Sequence, residues 1–118
     1  MTFLEAIARE EGWLDLASRP RRNNNPGDIE FGNFAVAHGA SGSDGRFAIF
    51  PDAETGFAAM RALFEAPSYV ALTVAQAIAR WAPSNENDTA LYVSHVCEWA
   101  TCAATDLIAP LLAEADVA

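Results

Sequence analysis

Apolar positions along the chain change period twice. Phe3, Leu4, Ile7 and Ala8 recur at helical spacing. Thr2-x-x-Glu5 in front of them is a capping box, and Gly12 is a suitable stop, so a helix is predicted from about Phe3 to Glu11. Residues 13 to 28 lose the period. Pro20, the run Asn23-Asn24-Asn25 and the turn pair Pro26-Gly27 read as loop. Three short runs then look extended: Ile29 to Phe31, Phe34 to Val36, and Arg46 to Phe50. Their connectors, Gly32-Asn33 and Gly39 to Gly45, carry turn residues, which predicts a small antiparallel sheet.

The helical period then returns. Asp52, after Pro51, caps a helix through about Phe64, with Phe57, Met60, Leu63 and Phe64 as its buried stripe. Thr73-x-x-Gln76 is a second capping box, opening a helix with Val74, Ile78 and Trp81 on one face, which Pro83 ends. Asn87 or Asp88 caps a fourth helix to about Ala100. Thr105 or Asp106 starts a short last one with Pro110 near its first turn, and the tail from Glu114 to Ala118 is expected to fray. The expected fold is a single α+β domain spanning residues 1 to 118, mainly α. It has an N-terminal helix, a small hairpin sheet and three to four further helices.

Composition narrows the function classes. Of the 118 residues, 52% are hydrophobic and 10% aromatic, enough for one real core and against disorder. The net charge is −9, and all seven basic residues are Arg. Such a surface repels phosphate backbones, so no nucleic-acid partner is expected. It also gives no general attraction to anionic wall polymers. Arg19, Arg21 and Arg22 form one basic cluster, which either offsets this locally or is a solvated loop. No apolar run approaches the ~20 residues of a membrane span, so no membrane insertion is expected. The N-terminus lacks a basic leader region, so cytoplasmic synthesis without a secretory signal is expected, with delivery by another route. Cys97 and Cys102 are five apart in a helical stretch, a poor geometry for pairing, and read as reduced, buried thiols. Nothing in the sequence signals an oligomeric state.

Glu11 is the unusual position. At ~100° per residue it falls near the middle of the stripe made by Leu4, Ile7 and Ala8, while Glu10 falls to one side. A carboxylate on an apolar face loses hydration, which raises its pKa. The negative end of the helix dipole raises it further. A carboxylic acid protonated near neutral pH is what glycoside cleavage needs at the leaving oxygen. The structural alternative is an edge residue whose stem packs while its head is solvated. In the loop from Arg22 to Gly32, the amides of Asn24 and Asn25 suit the hydroxyl and N-acetyl groups of a sugar. Asn-rich loops also simply make turns.

Together these segments resemble a family. Glu11-Gly12-Trp13, then Asn25-Pro26-Gly27-Asp28-Ile29, then a Gly-rich strand pair, are similar to lysozyme-like peptidoglycan-cleaving domains. Arg46-Phe47-Ala48-Ile49-Phe50-Pro51-Asp52-x-Glu54-x-Gly56 resembles the strand-to-helix segment of such domains in phages and prophages. Arg80-Trp81-Ala82-Pro83, Glu86-Asn87-Asp88-Thr89 and Tyr92-Val93 resemble their later helices, so the resemblance covers most of residues 5 to 96. It implies a catalytic Glu at a helix end beside a small hairpin, the place Glu11 occupies. The chain departs from phage-type lysozymes in lacking their Asp and Thr at set distances after the Glu. Asp15 is too near Glu11 to serve. Glu30 is the leading candidate for a second carboxylate, ahead of Asp28 and Asp44, and its role depends on whether it faces the cleft.

Other residues are expected to border the substrate. Trp81 and Tyr92 can stack on sugar rings, with core packing favoured for Trp81. Trp13 can wall the acid, and Glu86 can border the cleft, although Glu86-Asn87-Asp88 also reads as a helix cap. His38 and His95 show no ligand spacing, so no metal is expected, and no cofactor. The expected activity is cleavage of the β-1,4 bond between amino sugars, by hydrolysis or lytic transglycosylation, on a peptidoglycan glycan strand. The site of action would be the bacterial cell wall after phage- or secretion-linked delivery. The alternative is a lysozyme-fold protein without catalysis that binds glycan or acts as a virion or secretion component.

Overall fold

The structure, a computed structural model, describes residues 1–114. It is α+β and mainly helical. Helix α1 (Phe3–Glu10) opens with the expected capping box: the Thr2 hydroxyl accepts from Glu5 N–H and the Glu5 carboxylate accepts from Thr2 N–H. Phe3, Leu4, Ile7 and Ala8 are all buried. Glu11 is the C-cap, and Gly12 follows at φ +104°. That conformation suits glycine, and it turns Trp13 N–H back onto the Ala8 carbonyl at 3.0 Å.

The segment expected to be loop contains one short helix, α2 (Arg19–Arg22), capped by the Ser18 hydroxyl with Pro20 in its first turn. The predicted strand at Phe34 to Val36 is instead part of helix α3 (Asn33–Ala37). Three residues are too few to separate a period of 2 from 3.6, and two alanines in this segment favour the helix. The Gly39–Gly45 connector, expected to be only a turn, holds β1 (Gly42–Ser43). It pairs antiparallel with β2 (Ala48–Ile49), with Gly42 opposite Ile49 and Ser43 opposite Ala48. The Ile29 to Phe31 segment joins at its edge through a bridge between Glu30 and Phe47. A hairpin sheet is therefore present, from a different strand pair than the sequence indicated.

The later helices follow the sequence closely. Asp52 caps α4 (Ala53–Glu65), a capping box at Thr73 and Gln76 opens α5 (Val74–Trp81), and Asp88 caps α6 (Thr89–Ala100). The last helix, α7 (Ile108–Leu112), starts later than expected, with Leu107 as N-cap. Asp106 caps nothing there, because its carboxylate accepts from Ala103 N–H. The segment before α7 is instead bridged to the start of α5, with Ile108 N–H donating to Leu72 O and Val74 N–H to Asp106 O. The expected fraying beyond Glu114 lies outside the described residues.

One core joins Phe3, Leu4 and Ile7 of α1 to Met60 and Phe64 of α4, Ile78 of α5, Val96 of α6 and Ile108 of α7. Each such side chain contributes about 1.5–3 kcal/mol by leaving water. No helix among the described residues is long and apolar enough to cross a membrane.

The loop carrying Asn24 to Gly27 lies directly on α4. A Cβ at Gly56 would sit 2.0 Å from the Asn24 carbonyl oxygen and 2.8 Å from Pro26 Cδ. Gly56→Ala is expected to destabilise the chain by about 3 kcal/mol, because a backbone carbonyl must move to admit the methyl group. Chemical denaturation of the two proteins measures it, and an unchanged midpoint would mean that loop and helix are not in contact.

Candidate active site

The α1–α6 interface places one carboxyl group at a groove. Because Glu11 ends α1 on the face that packs, its side chain points at α6 and the end of α5 rather than at bulk water. The Tyr92 hydroxyl, on α6, donates to Glu11 Oε2 at 2.6 Å. Burial raises the Glu11 pKa above the ordinary 4.5. The Tyr92 hydrogen bond opposes this, the negative charges of Asp28 and Glu10 add to it, and the Trp81 indole opposes it weakly. The Tyr92 hydroxyl is itself pushed far up by burial and by the neighbouring Glu11, so it remains a donor.

The groove has a volume of about 580 Å³, a size ordinary for a small-ligand site. Its lining comes from two groups of elements. Leu63, Tyr69, Trp81 and Ala82 supply apolar surface, while Glu11, Arg19, Asp28, Glu30 and Arg46 supply charge. Glu86 and Asn87 close the set on the loop before α6. Gly27 is also part of the lining, and a Cβ there would come 3.1 Å from Trp81 Cζ2 and 3.2 Å from Met60 Cγ. That glycine lets the loop approach the indole.

Four of the charged lining residues are paired with one another. Arg19 grips Asp28 through two hydrogen bonds, and Arg46 holds Glu30 at 2.9 Å. Both guanidinium groups also lie over the Phe47 ring, at 3.7 Å for Arg19 and 4.8 Å for Arg46. Glu30 lines the groove as expected, but its side chain is 63% exposed, whereas that of Asp28 is 9% exposed. Of these two groove carboxylates, Asp28 is the one whose charge raises the Glu11 pKa. Both candidates for a second carboxylate therefore line the groove, Glu30 at its exposed edge and Asp28 in a more buried position.

Four expected substrate contacts lie elsewhere. Asn25 is fully buried: its Nδ2 donates to Ile29 O and Ala48 O, and its Oδ1 accepts from Ile29 N–H, all at 2.9 Å. Asn24, at φ +51°, donates to Phe50 O. These amides tie the loop to the sheet and do not line the groove. Trp13 packs edge-on against Phe57 under Arg21 and is not part of the groove lining. Tyr92 is 4% exposed and holds Glu11, so it is a positioning residue with no ring face for a sugar. Of the remaining candidates, Asp28, Trp81 and Glu86 all lie at the groove. Trp81 is stacked on Phe64 at 4.4 Å on one side, so core and groove share it.

The sequence reading missed Arg19, Arg46, Phe47 and Tyr69 as groove residues. Asp28 following Arg19 by nine positions carries no helical or strand period, so the pairing had no local signal. Asp44 belongs to the hairpin: Phe47 and Arg46 N–H groups and the Asn23 amide hold its pKa down at about 2. Among the described residues no cluster of His, Cys, Asp and Glu is placed to hold a metal ion. No protein-family model, curated protein or solved structure in the comparisons matches the chain.

Proposed function

We propose that this chain is a lysozyme-like domain that cleaves the glycan strands of bacterial peptidoglycan, with Glu11 as general acid. The observation that carries the reading is a half-buried carboxyl at a groove, held by Tyr92 and pushed toward its protonated form by loss of water. In this scheme Glu11 gives its proton to the oxygen between two amino sugars as the glycosidic bond lengthens. Apolar surface at Trp81, Tyr69 and Leu63 faces the sugar ring, and the charged lining faces its hydroxyl and amide groups. The Asp28 carboxylate stabilises the developing oxocarbenium charge from its seat on Arg19.

Because both Asp28 and Glu30 are engaged by arginines, neither is a free base for water. That pairing favours attack by the sugar's own hydroxyl, giving an anhydro end, over attack by a water. It equally suits the second reading, a glycan-binding lysozyme-fold protein without catalysis. Purified murein incubated with the chain separates these outcomes. Soluble fragments with anhydro ends support transglycosylation, and reducing ends support hydrolysis. Binding with no fragments supports the second reading, and neither binding nor fragments sinks both.

Tyr92→Phe gives a pH signature. Removing the hydroxyl takes away the hydrogen bond that favours ionised Glu11, so the Glu11 pKa rises further. The basic limb of the pH–rate profile is expected to move to higher pH, with a stability loss of about 1 kcal/mol. A limb that moves to lower pH would show that Tyr92 does not act on the ionised acid.

A further inference from the structure

Cys97 and Cys102 are the two cysteines of the chain, and both thiols are free. On a continuous helix their spacing would put them on different faces. The helix does not continue. α6 ends at Ala100, and Thr101 turns left-handed at φ 54°, ψ 54°, a conformation uncommon for a β-branched residue. The chain folds back at that point, so that the N–H groups of both Thr101 and Cys102 reach the Cys97 carbonyl, that of Cys102 at 3.1 Å. Helix ends of this kind bring together the side chains of the residue three positions before the last helical one and the residue just after the left-handed one. Here those are Cys97 and Cys102, held across the turn by the Cys102 N–H bond to the Cys97 carbonyl. Both residues pack on the edge of the core while remaining partly exposed, which leaves them open to a small reagent.

We infer that Cys97 and Cys102 form an oxidation site, closing to an intrachain disulfide when the chain meets a small disulfide oxidant. Oxidised glutathione is such an oxidant. The Cys97 thiol loses its proton to solvent, and the thiolate attacks one glutathione sulfur, forming a mixed disulfide and releasing one glutathione thiolate. Cys102 then gives its proton to solvent and attacks Cys97 Sγ, forming the Cys97–Cys102 bond and releasing the second glutathione. Two protein thiols are oxidised and one glutathione disulfide is reduced to two thiols.

The order follows from the surroundings. Burial and the neighbouring Cys97 push the Cys102 thiol up to about 12, so first attack falls to Cys97. Capturing the Cys97 sulfur in the mixed disulfide removes that neighbour's charge before Cys102 has to ionise. The product pins the end of α6, the helix whose first turns carry Tyr92.

The test treats the reduced, folded chain with excess oxidised glutathione, then measures intact mass and maps the peptides. The expected product is about 2 Da lighter than the reduced chain, with both thiols lost and an internal bond between residues 97 and 102. C102S is expected to stop as a glutathione adduct, and C97S to react more slowly because only the shielded thiol remains. A wild-type chain that keeps both thiols, carries stable glutathione adducts or links to a second chain overturns the inference.

Discussion

Glu11→Gln is expected to lower the release of soluble sugar from purified murein by about 10²- to 10⁴-fold, the usual worth of a positioned general acid. The amide keeps the shape of the side chain and still accepts from the Tyr92 hydroxyl, but it has no proton to give to a leaving oxygen. Folding is expected to survive, and the sign of the stability change is fixed. Glu11 holds its proton more tightly in the folded chain than in the unfolded one, so folding takes up a proton between the two midpoints. The stability of the wild-type chain is therefore highest below the unfolded midpoint and declines as pH rises through the folded one. Glu11→Gln removes that decline, so the variant should melt no lower than wild type at neutral pH. A variant that unfolds readily would mean that Glu11 is structural. One that keeps full activity would remove it from the chemistry.

Asn25→Ala is expected to destabilise the chain by about 4 kcal/mol, because a fully buried amide leaves several polar groups behind. Ile29 N–H and Ala48 O each lose the Asn25 partner, and Ile29 O loses one of two donors, since Ala48 N–H also reaches it. The groove depends on the same contact, since Asn25 joins the loop bearing Asp28 to the strand that follows Phe47. Chemical denaturation read by circular dichroism measures the loss. A change below about 1 kcal/mol would place the amide among solvated turn residues, as the sequence alone allowed.

These two residues mark how far the sequence could be read. Glu11 was legible because the helical period of Phe3, Leu4, Ile7 and Ala8 fixes the direction of every residue in α1, and a carboxylate in that direction stands out. The helices at Asp52, Thr73 and Asp88 were legible for a similar reason: a local cap and a long period agree. Asn25 was misread because an amide that serves a ligand and one that serves the backbone have the same chemistry. Only its burial between Ile29 and Ala48 separates them. The strand at Phe34 to Val36 failed because so short a run has no period of its own and took the helix of α3. The groove's arginines were invisible because Arg19 meets Asp28, and Arg46 meets Glu30, through tertiary folding alone. Cys97 and Cys102 are free thiols, as read from the sequence, though partly exposed rather than buried; the left-handed turn at Thr101, which ends the helix between them, had no sequence signal.

The proposed chemistry rests on Glu11 binding its proton more tightly than an exposed glutamate does. Carboxyl-carbon NMR of the chain, with the Glu11 signal assigned by comparison with Glu11→Gln, follows that group through a pH titration. The account predicts a midpoint clearly above 4.5, the ordinary value for a glutamate. A midpoint at or below it would contradict the account, because burial would then not be strengthening the hold of Glu11 on the proton it is to donate.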